Sequence, residues 1–181
     1  MLLKHRPIHM RLFALAIFGS MASIAGAQSA DDPEARLRTM GLTLPQPSAP
    51  VANYVRAVRS GNLLFLAGHG ECGGTRLTGK AGIDVSIDGA RASAQRVGLC
   101  LLSTIKAEVG DLGKVRRIVK VLGMVNAAPD FTQHPSVLNG FSDLMVAVFG
   151  DKGRHARSAA GFGSLPFGMT VEIEMVVELD P

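Results

Sequence analysis

The chain has two cysteines and one tyrosine in 181 residues. It has no internal repeat and no low-complexity tract. No Cys/His spacing resembles a zinc site. The one long apolar run, Leu12 to Ile24, is too short and too rich in small residues to make a comfortable membrane span. A strong excess of positive charge is also missing once the N-terminus is read correctly. Lys4, Arg6 and Arg11 precede or open that apolar run, and Ala25-Gly26-Ala27 supplies the small-x-small pattern that signal peptidase reads. We therefore expect a cleavable signal peptide over residues 1–27, cleaved after Ala27, and an exported, periplasmic or secreted mature protein. An uncleaved anchor is the second reading, and Met10 is an alternative start.

Cleavage would remove three of the 19 Lys and Arg residues and none of the 15 Asp and Glu residues, leaving 16 against 15. The sequence pI near 9.4 thus overstates how basic the mature protein is. A charge this close to balance gives no broad positive field for nucleic acid. Taking 27 residues from 181 leaves 154, enough for one domain with a sizeable core. Cys72 and Cys100 remain. An exported protein could join them, but Cys100 lies among Val97, Leu101 and Leu102, where a thiol acts as a small hydrophobe. Bonding demands specific geometry, so the unpaired state is the favoured reading.

Residues 28–52 read as a lead-in rather than a core element. Asp32-Pro33-Glu34 is a helix start, Ala35 to Met40 would follow as a short helix before Gly41, and Pro45 to Pro50 reads as an extended connector. From Asn53 the expected order is ββαβαββ. Tyr54 to Val58 and Leu63 to Ala67 read as a hairpin turned at Ser60-Gly61-Asn62, and the glycine-rich stretch from Gly70 to Gly82 as a loop. A long helix capped by Asp88 is predicted to run to about Glu108, with Ala94, Val97, Leu101 and Ile105 at helical spacing. Val115 to Val125 is a strand. Pro135 to Phe149 carries the stripe Val137, Leu138, Phe141, Leu144, Met145, Val148 of a second amphipathic helix. Strands Arg157 to Gly163 and Val171 to Leu179 end the chain, joined by a turn around Leu165-Pro166-Phe167-Gly168. In the last strand Val171, Ile173, Met175, Val177 and Leu179 share one face, with Glu172, Glu174 and Glu178 on the other.

Chemistry-bearing residues are few. Arg154, His155 and Arg157 place three potential cations in four residues, ahead of the small residues Ser158, Ala159, Ala160 and Gly161. Small side chains admit close approach of a ligand, and an arginine there could grip a carboxylate in two parallel hydrogen bonds. The local sequence alone favours a solvated loop with incidental charges. Glu172 and Glu174 could act as bases, although charged alternate residues usually mark a wet strand face. His69 follows a strand and could reach a pocket, or be an ordinary polar loop residue. Tyr54 says nothing by itself.

The combination is more specific. His155-Ala-Arg-Ser-Ala-Ala, Leu165-Pro166 and Val171-Glu-Ile-Glu-Met-Val-Val resemble the C-terminal signature of the Rid (reactive intermediate deaminase, YjgF) family. Asn53-Tyr-Val-Arg-Ala-Val and Asn62-Leu-Leu-Phe-Leu-Ala-Gly-His are similar to that family's first two strands. Val109-Gly-Asp-Leu, Lys114 to Lys120, Asp130-Phe131 and Val137-Leu-Asn139 match further along. The longer loops and Leu122-Gly-Met-Val-Asn-Ala look like the endoribonuclease L-PSP/chorismate mutase-like branch. The resemblance covers about residues 50–180.

It implies an α+β chorismate mutase-like fold, a mixed sheet covered on one face by two helices, over residues 53–181. It implies a homotrimer with pockets between subunits and no cofactor or metal. Residue by residue, it implies that Arg157 grips a substrate carboxylate, that Glu172 positions the attacking water, and that Tyr54 and Asn139 line the pocket with His69. Ala67 and His69 stand where the family usually has Ser and Gln, and Ala159 where many members have Cys, which bears on substrate choice. The implied activity is hydrolysis of small 2-imino or enamino acids to 2-oxo acids and ammonia. A trimer that binds small carboxylates without turnover is the alternative, since export separates the protein from cytosolic imine-forming enzymes. Chorismate mutase activity rests on shared fold alone. Ribonuclease activity fits the near-neutral mature charge and the absence of an evident histidine pair poorly.

Overall fold

The computed structural model of the chain describes residues 32–47 and 49–181. The expected signal peptide, 1–27, lies outside the described residues. Helix α1 spans Pro33–Thr39, β1 Ala57–Ser60, β2 Leu63–His69, α2 Ile87–Val109, β3 Val115–Asn126, α3 His134–Phe149, β4 Ala156–Phe162 and β5 Val171–Leu179. The five strands form one mixed sheet in the order β1-β2-β5-β3-β4, with β3 and β4 parallel and every other pair antiparallel. This is the expected α+β fold with α2 and α3 on one face.

Alternation explains why only one face is covered. Along β5, Val171, Ile173, Met175, Val177 and Leu179 are buried, and they pack with Val121 and Val125 of β3 in the core. The α2 stripe Ala94, Val97, Leu101, Ile105 and the α3 stripe Val137, Leu138, Phe141, Leu144, Met145, Val148 supply the helical side of that core. The helices approach closely where Gly140 of α3 meets α2. A Cβ there would stand 2.1 Å from the Arg91 carbonyl oxygen, so any side chain would force the two helices apart. The opposite sheet face leaves Val58 and Phe65 exposed, with Leu122 and Val176 partly covered.

Several sequence expectations need correction. The first strand begins at Ala57, not Tyr54. A tight turn at Gly61-Asn62 sets Ser60 opposite Leu63, so the ladder runs back only to Ala57 opposite Leu66. Tyr54 precedes the ladder, its N–H bonded to the Ala52 carbonyl in a bend (2.9 Å). The α2 cap is Ser86, not Asp88. Ser86 has extended backbone angles and its Oγ accepts from the Gly89 N–H at 3.1 Å, while Asp88 sits in the first turn, where a negative charge suits the helix dipole. The lead-in also contributes to the core. Leu37 is buried, and α1 is held by a Lys106–Glu34 ion pair and by Arg36 Nη1 donating to the Val148 carbonyl.

The main correction concerns the cysteines. Cys72 and Cys100 are bonded, with Cα atoms 5.9 Å apart. The apolar surroundings of Cys100 on α2 describe its own helix correctly, but they say nothing of Cys72, which the loop after β2 brings onto that helix from 28 residues away. Among the described residues no helix is long and apolar enough to cross a membrane. Cross-links of this loop size typically contribute about 2–4 kcal/mol. Reduction with dithiothreitol is therefore expected to lower the urea midpoint by an amount equivalent to about that free energy, and Cys72→Ser/Cys100→Ser should abolish the reductant effect.

Candidate functional site

Strand register divides the expected site residues into two groups. Arg157 lies opposite Val121, and Val121 opposite Met175, so Arg157 is on the helix-covered face. Glu172 lies opposite Met124, and Met124 opposite Ala160, on the other face. Within one chain, therefore, Arg157 and Glu172 belong to opposite sides of the sheet.

The first group is built on α3. Arg157 Nη1 donates to Asn139 Oδ1 (3.1 Å) and to Ser142 Oγ (2.9 Å). Ser142 Oγ in turn bonds His155 Nε2 (3.1 Å), and His155 Nδ1 bonds the Gly153 carbonyl (2.7 Å). A carbonyl only accepts, so Nδ1 carries the proton; in the neutral ring Nε2 accepts from the serine hydroxyl, freeing a serine lone pair for Arg157. Burial pushes the His155 pKa down, opposed by the bond to Gly153 and reinforced by the Arg157 charge. His155 is thus a neutral strut rather than a third cation. Arg154 is exposed and pairs with Asp151 (3.1 Å). Among the described residues, Nε and Nη2 of Arg157 have no hydrogen-bond partner, which leaves a guanidinium edge for an anion.

The second group lines a cavity of about 340 Å³ between the end of β2, the start of β5 and the turn at Pro166–Gly168. Tyr54, His69 and Glu172 all contribute to it, as do Arg76, Phe167 and Met169; Arg157 and Asn139 do not. A bulge shifts the β2–β5 register between Leu66 and His69. It lets Gly68 lie beneath Glu172, where a Cβ would stand 2.1 Å from Oε1. Burial first, and the Glu174 carboxylate second, push the Glu172 carboxyl above its ordinary value. Such a group can hold a water or exchange a proton nearer neutral pH than a free carboxylate.

His69 lines the cavity with both ring nitrogens already engaged. Nδ1 bonds the Ala67 carbonyl (2.7 Å) and Nε2 the Thr104 hydroxyl on α2 (2.9 Å). Burial pushes its pKa down, the bond to Ala67 opposes, and the Arg56 charge reinforces. It therefore presents a neutral ring edge to the cavity. Sequence reasoning missed Ser142, which shares a helix face with Asn139 at i,i+3 spacing, a signal that would have flagged the pair. It also missed Arg76 in the glycine-rich loop. Among the described residues no group of three or more His, Cys, Asp or Glu side chains is placed to hold a metal ion.

Residues 34–179 match the family model described as "YjgF/chorismate_mutase-like, putative endoribonuclease". Protein TCP17 of Trypanosoma cruzi is 41% identical over 150 residues, 81% of this chain and 93% of that protein. The crystal structure of Atu1372, a protein of unknown function from Agrobacterium tumefaciens, is 42% identical with a TM-score of 0.76, over 83% of this chain and 95% of that one. A Shewanella oneidensis structure named as a putative endoribonuclease is 28% identical with a TM-score of 0.79, over 82% and 99%. The chain belongs to the Rid/YjgF family.

The raised Glu172 value has a definite pH signature. Because the folded state holds this proton longer than the unfolded state, Glu172's own contribution to stability is fully present below the ordinary carboxyl range and is lost as pH rises through the folded value. Glu172→Gln should remove that slope. Glu174→Gln should move the Glu172 carboxyl back toward its ordinary value in a carbon-13 NMR titration, and an unmoved resonance would show that the two carboxylates do not interact.

Proposed function

We propose that the protein hydrolyses small 2-imino or enamino acids to 2-oxo acids and ammonia. The observation that carries this reading is the fixed guanidinium of Arg157, anchored through Nη1 with its remaining N–H edge open. In the proposed reaction Arg157 holds the substrate carboxylate by charge-assisted hydrogen bonds. Glu172 takes a proton from water as its oxygen bonds to the imine carbon, and the C=N π pair moves to nitrogen, which receives that proton to give a carbinolamine. The carbinolamine hydroxyl then gives up its proton as C=O forms, the nitrogen takes it up, and the C–N bond breaks to release ammonia. An enamino acid enters as its imine tautomer. Tyr54 and Asn139 shape the pocket, and no cofactor enters the chemistry.

A complete site then requires Arg157 of one subunit and Glu172 of another, as in a homotrimer with intersubunit pockets. Exposed Val58 and Phe65 on the helix-free sheet face support burial of that face against a second copy. Export of a mature protein cleaved after Ala27 is part of the same proposal. The Cys72–Cys100 bond supports it, because such bonds persist in oxidising compartments.

The test is a coupled assay in which an amino-acid oxidase generates the imine and its decay is followed. Wild type should accelerate decay and Arg157→Ala should lose most of that acceleration; equal rates would refute the reading. Saturable binding of a 2-oxo acid with no turnover would favour the carboxylate-binding protein instead. Mass spectrometry of the exported protein should give a chain starting at Gln28 with its two thiols oxidised.

A further inference from the structure

The glycine-rich loop after β2 carries a cation that the proposed reaction does not use. Arg76 lines the same cavity as Glu172 and Tyr54. Its Nε is buried without a hydrogen-bond partner, beside Gly70, where a Cβ would lie 3.4 Å from it. Its guanidinium carbon stands 5.4 Å from the centroid of the Phe167 ring. Among the described residues no carboxylate comes within 4.0 Å of it. The other charges of the cavity wall are matched elsewhere: Arg56 pairs with Glu108 at 3.8 Å, and Glu71 accepts from Arg96 at 2.6 Å and from Ser93. Glu172, the carboxylate nearest in chemistry, remains outside ion-pair distance.

A guanidinium kept for packing alone would be a poor choice here, because an unpaired buried donor is destabilising and an apolar side chain would cover Phe167 as well. The loop is nonetheless fixed to present it. Glu71 is clamped by Ser93 and Arg96, and Cys72 is bonded to Cys100, so both residues tie the loop to α2 just before Arg76. Opposite, Phe167 is the one non-glycine residue at positive φ (57°) among the described residues, and it is exposed at the cavity rim. Strain of this kind persists where the surroundings hold it in place, often beside a ligand.

We infer that Arg76 is an anion-binding residue of this cavity and that the proposed intersubunit site accepts substrates with two carboxylates, one held by Arg157 of a neighbouring subunit and the distal one by Arg76. This rests on the carboxylate reading of Arg157 given above. The distal carboxylate would accept from the terminal Nη groups of Arg76, on the side of the guanidinium that lines the cavity, while Phe167 stacks on its face. The disulfide thereby acquires a role at the site, since it fixes the position from which Arg76 reaches the ligand.

Calorimetric titration of the purified protein with 2-oxobutyrate, which has one carboxylate, and with 2-oxoglutarate and 2-oxoadipate, which have two, tests this directly. At least one diacid should bind roughly ten- to a hundredfold more tightly than 2-oxobutyrate. Arg76→Gln should collapse that preference while shifting 2-oxobutyrate far less, Arg76→Lys should retain part of it, and Arg157→Gln should weaken all three ligands. Absence of a diacid preference in the wild type, or its persistence in Arg76→Gln, overturns the inference and leaves the role of Arg157 standing. Failure of all three ligands to bind the wild type overturns both. If Arg76→Gln does not fold, Arg76→Lys and Phe167→Leu carry the comparison, and an undiminished preference in both refutes the inference.

Discussion

Strand β5 lies between β2 and β3 and delivers its residues alternately into the helix-covered core and onto the opposite sheet face. Because the side-chain period of a strand is two, this alternation fixes which residues can meet. Ile173 and Met175 must pack under α2 and α3, so Glu172 must face away from them. The parallel pairing of β4 with β3 then puts Arg157 on the core side, against α3. The same burial that stabilises the sheet therefore separates the guanidinium from the carboxylate. Within one chain, no single pocket holds both side chains.

Each half is organised before any ligand arrives. Arg157 is fixed by Asn139, by Ser142 and, through Ser142, by a neutral His155. On the other face the bulge in β2 brings Gly68 under Glu172, and the turn at Pro166–Gly168 closes the cavity opposite the Arg76 loop. Preorganised hydrogen bonds of this kind let binding energy go into orienting the ligand rather than into ordering the protein. His69 turns inward to Thr104, so this wall of the cavity offers a ring edge whose nitrogens are already engaged.

Much of the fold was legible because its signals are periodic. The β5 alternation and the α2 and α3 stripes each repeat enough to identify a buried face, and every residue named in those stripes is buried. Local choices were harder. Ser86 and Asp88 are both good caps, and only backbone angles decide between them. The start of β1 depends on where its partner strand ends, which a single strand's composition does not contain. The disulfide and the Arg76 cavity were illegible for a related reason: both depend on where a glycine-rich loop folds back, and such a loop carries no period. Arg157 and Glu172 were visible through the motif they share with the Rid/YjgF family, whereas their placement on opposite faces needed the register.

The proposed site is assembled from two chains, one giving Arg157 and the other Glu172. The most direct measurement mixes Arg157→Ala and Glu172→Gln subunits, each inactive alone, by joint refolding, and follows imine decay. A ring in which neighbouring chains share sites would recover about a quarter of the wild-type rate on random mixing, since a neighbouring pair can keep both intact halves. Activity that stays at the level of the separate variants, with both folded and mixed oligomers present, would place both residues in one chain's site and contradict the account.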